Sequence, residues 1–147
     1  MLYVKTVRID VDSPADICAF IEQHGDRHIT LDALAYYKDP DGPGIGILGY
    51  EGTQLVGISA CKIDDNKMSY AVSVTHRDYR KRGIGSALLR QKIADAGVPY
   101  STIVASDNPA SIRMCEKAGL QNVGALTRNR AAGSYVALEF RENEQRK

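Results

Sequence analysis

The protein has 147 residues, of which 44% are hydrophobic and 25% charged, with a formal net charge of +1. This length suits one domain spanning residues 1–147, with a solvated tail at 141–147. The near-neutral balance calls for no nucleic-acid or membrane partner, no apolar run approaches membrane-spanning length, and without a signal-peptide layout a cytoplasmic setting is the default.

Leu2, Val4, Val7 and Ile9 mark a first strand over about residues 2–9. Ser13-Pro14 then offers an N-cap and a proline at the first helical position, Ile17, Phe20 and Ile21 form the apolar stripe, and Gly25 closes the helix. Thr30 caps a second short helix running to about Tyr37. The segment from Lys38 to Gly44 holds two prolines and two glycines and reads as a loop. Three strands follow, Ile45 to Tyr50, Gln54 to Ile63 and Lys67 to Thr75, joined by turns at Glu51-Gly52-Thr53 and Asp64-Asp65-Asn66.

A helix then runs from Ile84 to about Ala96, and Pro99 bars its continuation. Ser101 to Ala105 is a short strand. Asp107-Asn108-Pro109 opens a last helix that ends at Ala118-Gly119, and two strands, about 120–128 and 134–140, close the chain. The predicted order is β-α-α-β-β-β-α-β-α-β-β. It implies an α/β (α+β) fold with about four helices and one mixed, mostly antiparallel sheet of about seven strands.

Cys18, Cys61 and Cys115 are odd in number and contain no Cys-x-x-Cys pair, so neither a disulfide framework nor a zinc site is expected. His24, His28 and His76 form no ligand pattern, and no metal is expected. The informative segment is Arg80-Lys81-Arg82-Gly83-Ile84-Gly85, a basic, glycine-containing loop between a strand and a helix. First-turn amides of a helix lack intrahelical partners, the helix dipole adds positive character there, and glycine lets a ligand approach the backbone. A phosphate or pyrophosphate is the expected guest. The loop has neither the Gly-x-x-x-x-Gly-Lys-Ser/Thr nor the Gly-x-Gly-x-x-Gly spacing, which argues against a nucleoside-triphosphate or dinucleotide site.

Two segments, in this order, carry a family resemblance. Val72 to Gly85 is similar to the end of the fourth strand and the Gln/Arg-x-x-Gly-x-Gly/Ala loop of the GCN5-related N-acetyltransferase (GNAT) superfamily. Asn108 to Leu120 resembles that family's Asn-x-x-Ala/Ser-x-x-Leu-Tyr-x-Lys-x-Gly-Phe segment. The resemblance implies an N-acetyltransferase that moves an acetyl group from acetyl-CoA to a primary amine by direct attack, on a small molecule or a peptide. The alternative is a catalytically weak or inactive acyl-CoA-binding sensor. Relatives are often dimers, so a homodimer is compatible with the chain.

Carried over residue by residue, the resemblance assigns the pyrophosphate to Arg80, Lys81, Arg82, Gly83, Ile84, Gly85, Ser86 and Ala87. Lys81 stands where the family often has glycine. The backbones of Val72 and Val74 would pair with the pantetheine arm like an added strand, and the Val74 N–H would meet the developing oxyanion. Asn108 and Ser111 would hold the coenzyme at the second βα turn, although Asn108 also reads as a plain helix cap. Cys115 occupies the place of the family's tyrosine. It is either a general acid, with an intrinsic pKa of roughly 8.5, or a packing thiol, and Tyr70, Tyr79 and Tyr100 are alternative acids.

No glutamate lies between Glu51 and Glu116, so no general base is identified. Asp64, Asp65, His76 and Ser73 are stand-ins, and a water relay needs none of them. Acceptor binding falls to Tyr36, Tyr37 and Asp39, with Asp41 nearby and Arg128, Arg130 and the turn at Gly133 on the groove's other side.

Overall fold

The computed structural model describes residues 1–9, 15–25, 29–97, 101–105, 107–127 and 134–139. Ser13-Pro14, Tyr100, Arg128, Arg130, Gly133 and the 141–147 tail lie outside these residues. The element order is the one read from the pattern of residues: β1 (Leu2–Arg8), α1 (Ala15–His24), α2 (Leu31–Lys38), β2 (Gly44–Glu51), β3 (Gln54–Asp64), β4 (Lys67–Thr75), a 3-10 turn (Arg77–Tyr79), α3 (Ile84–Ala96), β5 (Ser101–Ala105), α4 (Pro109–Lys117), β6 (Gln121–Thr127) and β7 (Ser134–Glu139).

Local chemistry sets several of these boundaries. The Thr30 hydroxyl accepts from the Ala33 N–H at 3.1 Å and starts α2. Asp65 and Asn66 both take left-handed backbone, φ 49 and 61, as a two-residue hairpin turn requires. The Asn108 side chain accepts from the Ser111 N–H at the start of α4.

Among the described residues the strands form two sheets, β1-β2-β3-β4 and β5-β7-β6, and every pairing is antiparallel. This corrects the expectation of one mixed sheet of seven strands. Where β3 passes Ala60 to Lys62, β4 carries an extra residue around Tyr70-Ala71, a β-bulge that bends the strand. No β4–β5 ladder exists among the described residues. β4 therefore stands as an edge strand beside the segment that leads into α3.

The first sheet is covered on both faces. α1 and α2 bury Ile17, Phe20, Ile21, Ala33 and Tyr37 against Ile58, Ala60, Val72 and Val74. On the opposite face α3 packs Ile84 and Leu88 on Ile47 and Val56. α3 can come this close because Gly57 has no side chain, since a Cβ there would stand 2.9 Å from both Ile84 Cγ2 and Leu88 Cδ1. A third cluster joins α3 to α4, with Leu89, Cys115, Ala118 and Leu120 buried against Met68 and Val104.

Candidate functional site

Three distant segments meet at the start of α3. A Cβ on Gly85 would stand 2.8 Å from Met114 Sδ of α4 and 3.4 Å from Thr75 Oγ1 at the end of β4. The Ser86 hydroxyl donates to the Met114 carbonyl at 3.3 Å. The two segments that carry the motifs are therefore neighbours in space.

The loop before α3 leaves the helix end uncapped. Lys81 and Gly83 both hold left-handed backbone, φ 66 and 80. Gly83 is the N-cap of α3, and no side chain caps that helix end. Space in front of Gly83 is open, with nothing within 4 Å of where a Cβ would be. The first-turn amides at Ile84, Gly85 and Ser86 lack intrahelical acceptors and form the positive end of the helix dipole. The Ala87 N–H, by contrast, already donates to the Gly83 carbonyl at 3.1 Å, which removes it from the expected cradle.

The arginines divide their work. Arg80 donates from Nη2 to the His24 carbonyl at 2.9 Å and from Nε to the Thr75 carbonyl at 3.3 Å. Arg77 Nη2 reaches the Gln23 carbonyl at 3.2 Å. Both guanidinium groups thereby satisfy carbonyls at the end of α1, where the dipole favours cations. Arg82 lies over the Tyr79 ring, 5.0 Å from its centroid. Lys81 is exposed.

The register of β4 decides which of its amides are available. The His76 N–H donates to the Val56 carbonyl at 2.8 Å, one step beyond the Gly57–Thr75 pair. Hydrogen-bonded and non-bonded pairs alternate along an antiparallel ladder. Val74 and Val72 therefore spend their backbone groups on Ile58 and Ala60 of β3. Ser73 and Thr75 direct theirs outward, along the edge that has no partner strand among the described residues, and there the Thr75 carbonyl already accepts from Arg80 Nε. The Ser73 and Ser59 hydroxyls, 2.8 Å apart, fit the closer side-chain spacing of a non-bonded pair. The expectation placed on the backbones of Val72 and Val74 thus moves by one residue, because which groups face outward depends on pairing that the chain alone does not reveal.

Cys115 is 3% exposed, and burial pushes its thiol up to about 11, with Lys92 opposing the shift. Lys92, which the residue pattern did not single out, is fully buried on α3 and donates from Nζ to the Ala60 carbonyl at 3.4 Å. Desolvation lowers its ammonium to about 8. One signal was present. Lys92 falls three and four residues after Leu89 and Leu88, on the apolar stripe of α3.

Tyr37 is fully buried, and its hydroxyl donates to the Tyr70 carbonyl at 2.6 Å. Tyr36 is also buried. It donates to the Gly42 carbonyl at 3.0 Å and stacks on Tyr70, 5.4 Å between centroids. Tyr70 is the exposed ring of the three, at 41%, and holds left-handed backbone at φ 52 within the bulge. Such backbone in a bulky residue is sterically costly and tends to mark functional positions. Asp39 is exposed at the end of α2, and Asp41 pairs with Lys62, whose ammonium lies over the Tyr36 and Tyr70 rings.

Of the stand-in bases, Asp64 and Asp65 are exposed at the β3–β4 turn. His76 accepts at Nδ1 from the Asp78 N–H at 3.1 Å and lies tilted against His24, 4.1 Å between centroids. His24 is buried, and its Nδ1 has no hydrogen-bond partner. Burial, then the neighbouring His76, Arg77 and Arg80, hold its imidazole below the usual range. Among the described residues no three metal-ligating side chains cluster, and no helix is long and apolar enough to cross a membrane.

Comparison with known proteins agrees with this arrangement. Residues 13–120 match the model of the "Acetyltransferase (GNAT) family". No curated protein sequence matches the chain. Among solved structures it resembles a GNAT-family acetyltransferase from Streptococcus pneumoniae, with a TM-score of 0.70 at 17% identity over 95% of this chain and 98% of the other. It also resembles the ribosomal-protein-S18-alanine N-acetyltransferase of Escherichia coli, with a TM-score of 0.71 at 15% identity over 95% and 93%. A Bacillus subtilis acetyltransferase solved in complex with CoA gives a TM-score of 0.68 at 12% identity over 95% and 98%. At these identities the likeness is one of fold.

Proposed function

The chain belongs to the GNAT acetyltransferase family, and from that premise we propose that it transfers an acetyl group from acetyl-CoA to a primary amine by direct attack. The observation that carries this reading is the convergence of Thr75, Gly85 and Met114, which sets the end of β4 beside the uncapped start of α3 and the Met114 side of α4.

Acetyl-CoA supplies an activated thioester, and the chain's own groups fit it. The amides of Ile84, Gly85 and Ser86 meet the pyrophosphate, with Lys81 and Arg82 adding charge from the loop. Arg80 contributes chiefly by holding the loop to α1. The outward backbone groups of Ser73 and the N–H of Thr75 pair with the pantetheine amides as a strand would. The Ser73 N–H, the outward donor nearest the bulge, takes the oxyanion role expected of Val74. Asn108 and Ser111, at the start of α4, hold the coenzyme at the second βα turn.

An alkyl amine is mostly protonated at neutral pH, so it must shed a proton before attack. No carboxylate is placed for that task among the described residues, and water along the open edge of β4 serves instead. The acceptor approaches beside Tyr70, and Asp39, exposed at the end of α2, supplies an anion for its ammonium form. Structural relatives are named for acetylating an alanine of ribosomal protein S18 and spermidine, which are both amines.

The test is a thiol-release screen with acetyl-CoA against alkyl amines, polyamines, amino acids and peptide N-termini. Acceptor-dependent release of CoA supports the reading. Tight acetyl-CoA binding with no release by any amine would favour the sensor alternative, which the buried, weakly acidic Cys115 keeps in view.

A further inference from the structure

Lys62 brings an ammonium to the bulge of β4 from the neighbouring strand. It stands opposite Ser69 in the β3–β4 ladder, the residue just before Tyr70. Its Nζ lies 5.4 Å from the centroid of the Tyr36 ring and 5.9 Å from that of Tyr70. Rings so placed favour a cation, and here the chain's own lysine fills that place. Its counter-ion is Asp41, on the loop between α2 and β2.

The two partners of this ion pair are unlike. The Lys62 side chain is 13% exposed, whereas that of Asp41 is 74% exposed. Lys62 is enclosed by the rings and by the loop, since a Cβ on Gly42 would stand 3.2 Å from its Cε. The loop backbone is held independently of the pair. Tyr36 donates to the Gly42 carbonyl at 3.0 Å, and the Ile63 N–H donates to the Pro43 carbonyl at 2.9 Å. Asp41 therefore turns into water by a change of rotamer while the loop and Lys62 stay in place. An ion pair with so exposed a partner is weak, and exchanging its carboxylate for another costs little.

We propose that Lys62 is a specificity-determining residue of the acceptor site, an anchor for a carboxylate on the acceptor, with Asp41 occupying that anchor until an acceptor arrives. This inference rests on the proposed acetyl transfer and on the approach of the acceptor beside Tyr70. The acceptor class is then an amine that also carries a carboxylate. Strand geometry sets the span between the two groups. Tyr70 precedes Ser73 by three residues, about 10 Å of strand, so amine and carboxylate stand several bonds apart. A diamine of the same length is disfavoured. Its second ammonium would meet that of Lys62, and the place over the rings is already taken.

The experiment measures thiol release from acetyl-CoA with three matched series: ω-amino carboxylates of roughly two to six carbons, their carboxamides, and diamines of the same lengths. Wild type should use the best carboxylate at least about tenfold better in kcat/KM than its carboxamide, as a charge-assisted hydrogen bond allows. Lys62→Gln should bring the two within about twofold by raising KM for the carboxylate alone. Lys62→Met replaces it should that variant not fold, and Lys62→Arg should restore part of the preference. Asp41→Asn should lower KM for the carboxylate a few-fold by removing the internal competitor. A preference that is absent from wild type, or that survives Lys62→Gln, overturns the anchor and leaves the acetyltransferase reading standing. Release with amines outside these series only does the same. Release with no amine of any kind overturns both.

Discussion

The guanidinium of Arg80 lies 2.9 Å from the carbonyl oxygen of His24, so the loop that opens α3 also closes α1. A residue whose spacing suggests only ligand binding thus ties two elements together before any ligand arrives. Arg80→Ala should destabilise the ligand-free protein by about 1 kcal/mol, a charged hydrogen bond discounted for exposure. Thermal unfolding without coenzyme measures this. An unchanged midpoint alongside weakened coenzyme binding would return Arg80 to a purely ligand-facing role.

Gly83 separates backbone strain from electrostatics. Its φ of 80 strains any side chain, although no atom obstructs a Cβ. Gly83→Ala should therefore cost about 1 kcal/mol of stability and leave acetyl-CoA affinity within a few-fold. Gly83→Glu should weaken binding at least about tenfold by placing a carboxylate where the phosphates belong. Equal affinity of the two variants in calorimetric titration would remove the pyrophosphate assignment.

Lys92 has a signature in the pH dependence of stability. Its folded pKa of about 8 lies below the ordinary lysine value of 10.5. Between those values the unfolded chain holds a proton that the folded chain lacks, so stability rises with pH across that window and is flat on either side. The full span corresponds to roughly 3 kcal/mol. Lys92→Met should unfold at higher temperature than wild type at neutral pH, and the difference should shrink toward alkaline pH. Melting curves through the window test the sign, and a Lys92→Met protein less stable at neutral pH would refute it.

The general-acid role that the family resemblance implies for Cys115 predicts that Cys115→Ala lowers turnover at least about tenfold while leaving acetyl-CoA affinity within a few-fold. Steady-state kinetics with the first acceptor found, alongside equilibrium binding, gives both numbers. Undiminished turnover would leave Cys115 as a packing residue of the α3–α4 cluster.

The bulge offers a test on the acceptor side. Tyr37→Phe deletes the 2.6 Å hydrogen bond that anchors the Tyr70 carbonyl. A loss of about 1 kcal/mol in stability is expected, with a rise in acceptor KM that exceeds any change in acetyl-CoA affinity. A KM for the acceptor that stays constant would separate Tyr70 from acceptor binding.

Much of this protein was legible from neighbouring residues. Thr30 and Asn108 announce their helices because a cap is a contact over three residues. Asp65-Asn66 announces its hairpin, and Gly83 the start of α3, for the same short-range reason. The element order and the anion loop follow from such signals. The pairing of Val72 with Ala60, the burial of Tyr36 and Tyr37, and the enclosure of Lys92 do not. Each depends on a partner far along the chain. In a strand of period two, one extra residue at Tyr70-Ala71 exchanges the groups that face inward for those that face out. The chain by itself determined that a strand, a basic loop and a helix stand in succession. The tertiary structure alone decided that Ser73 and Thr75 present their amides to the open edge, because a ladder, unlike a cap, is set by its distant partner.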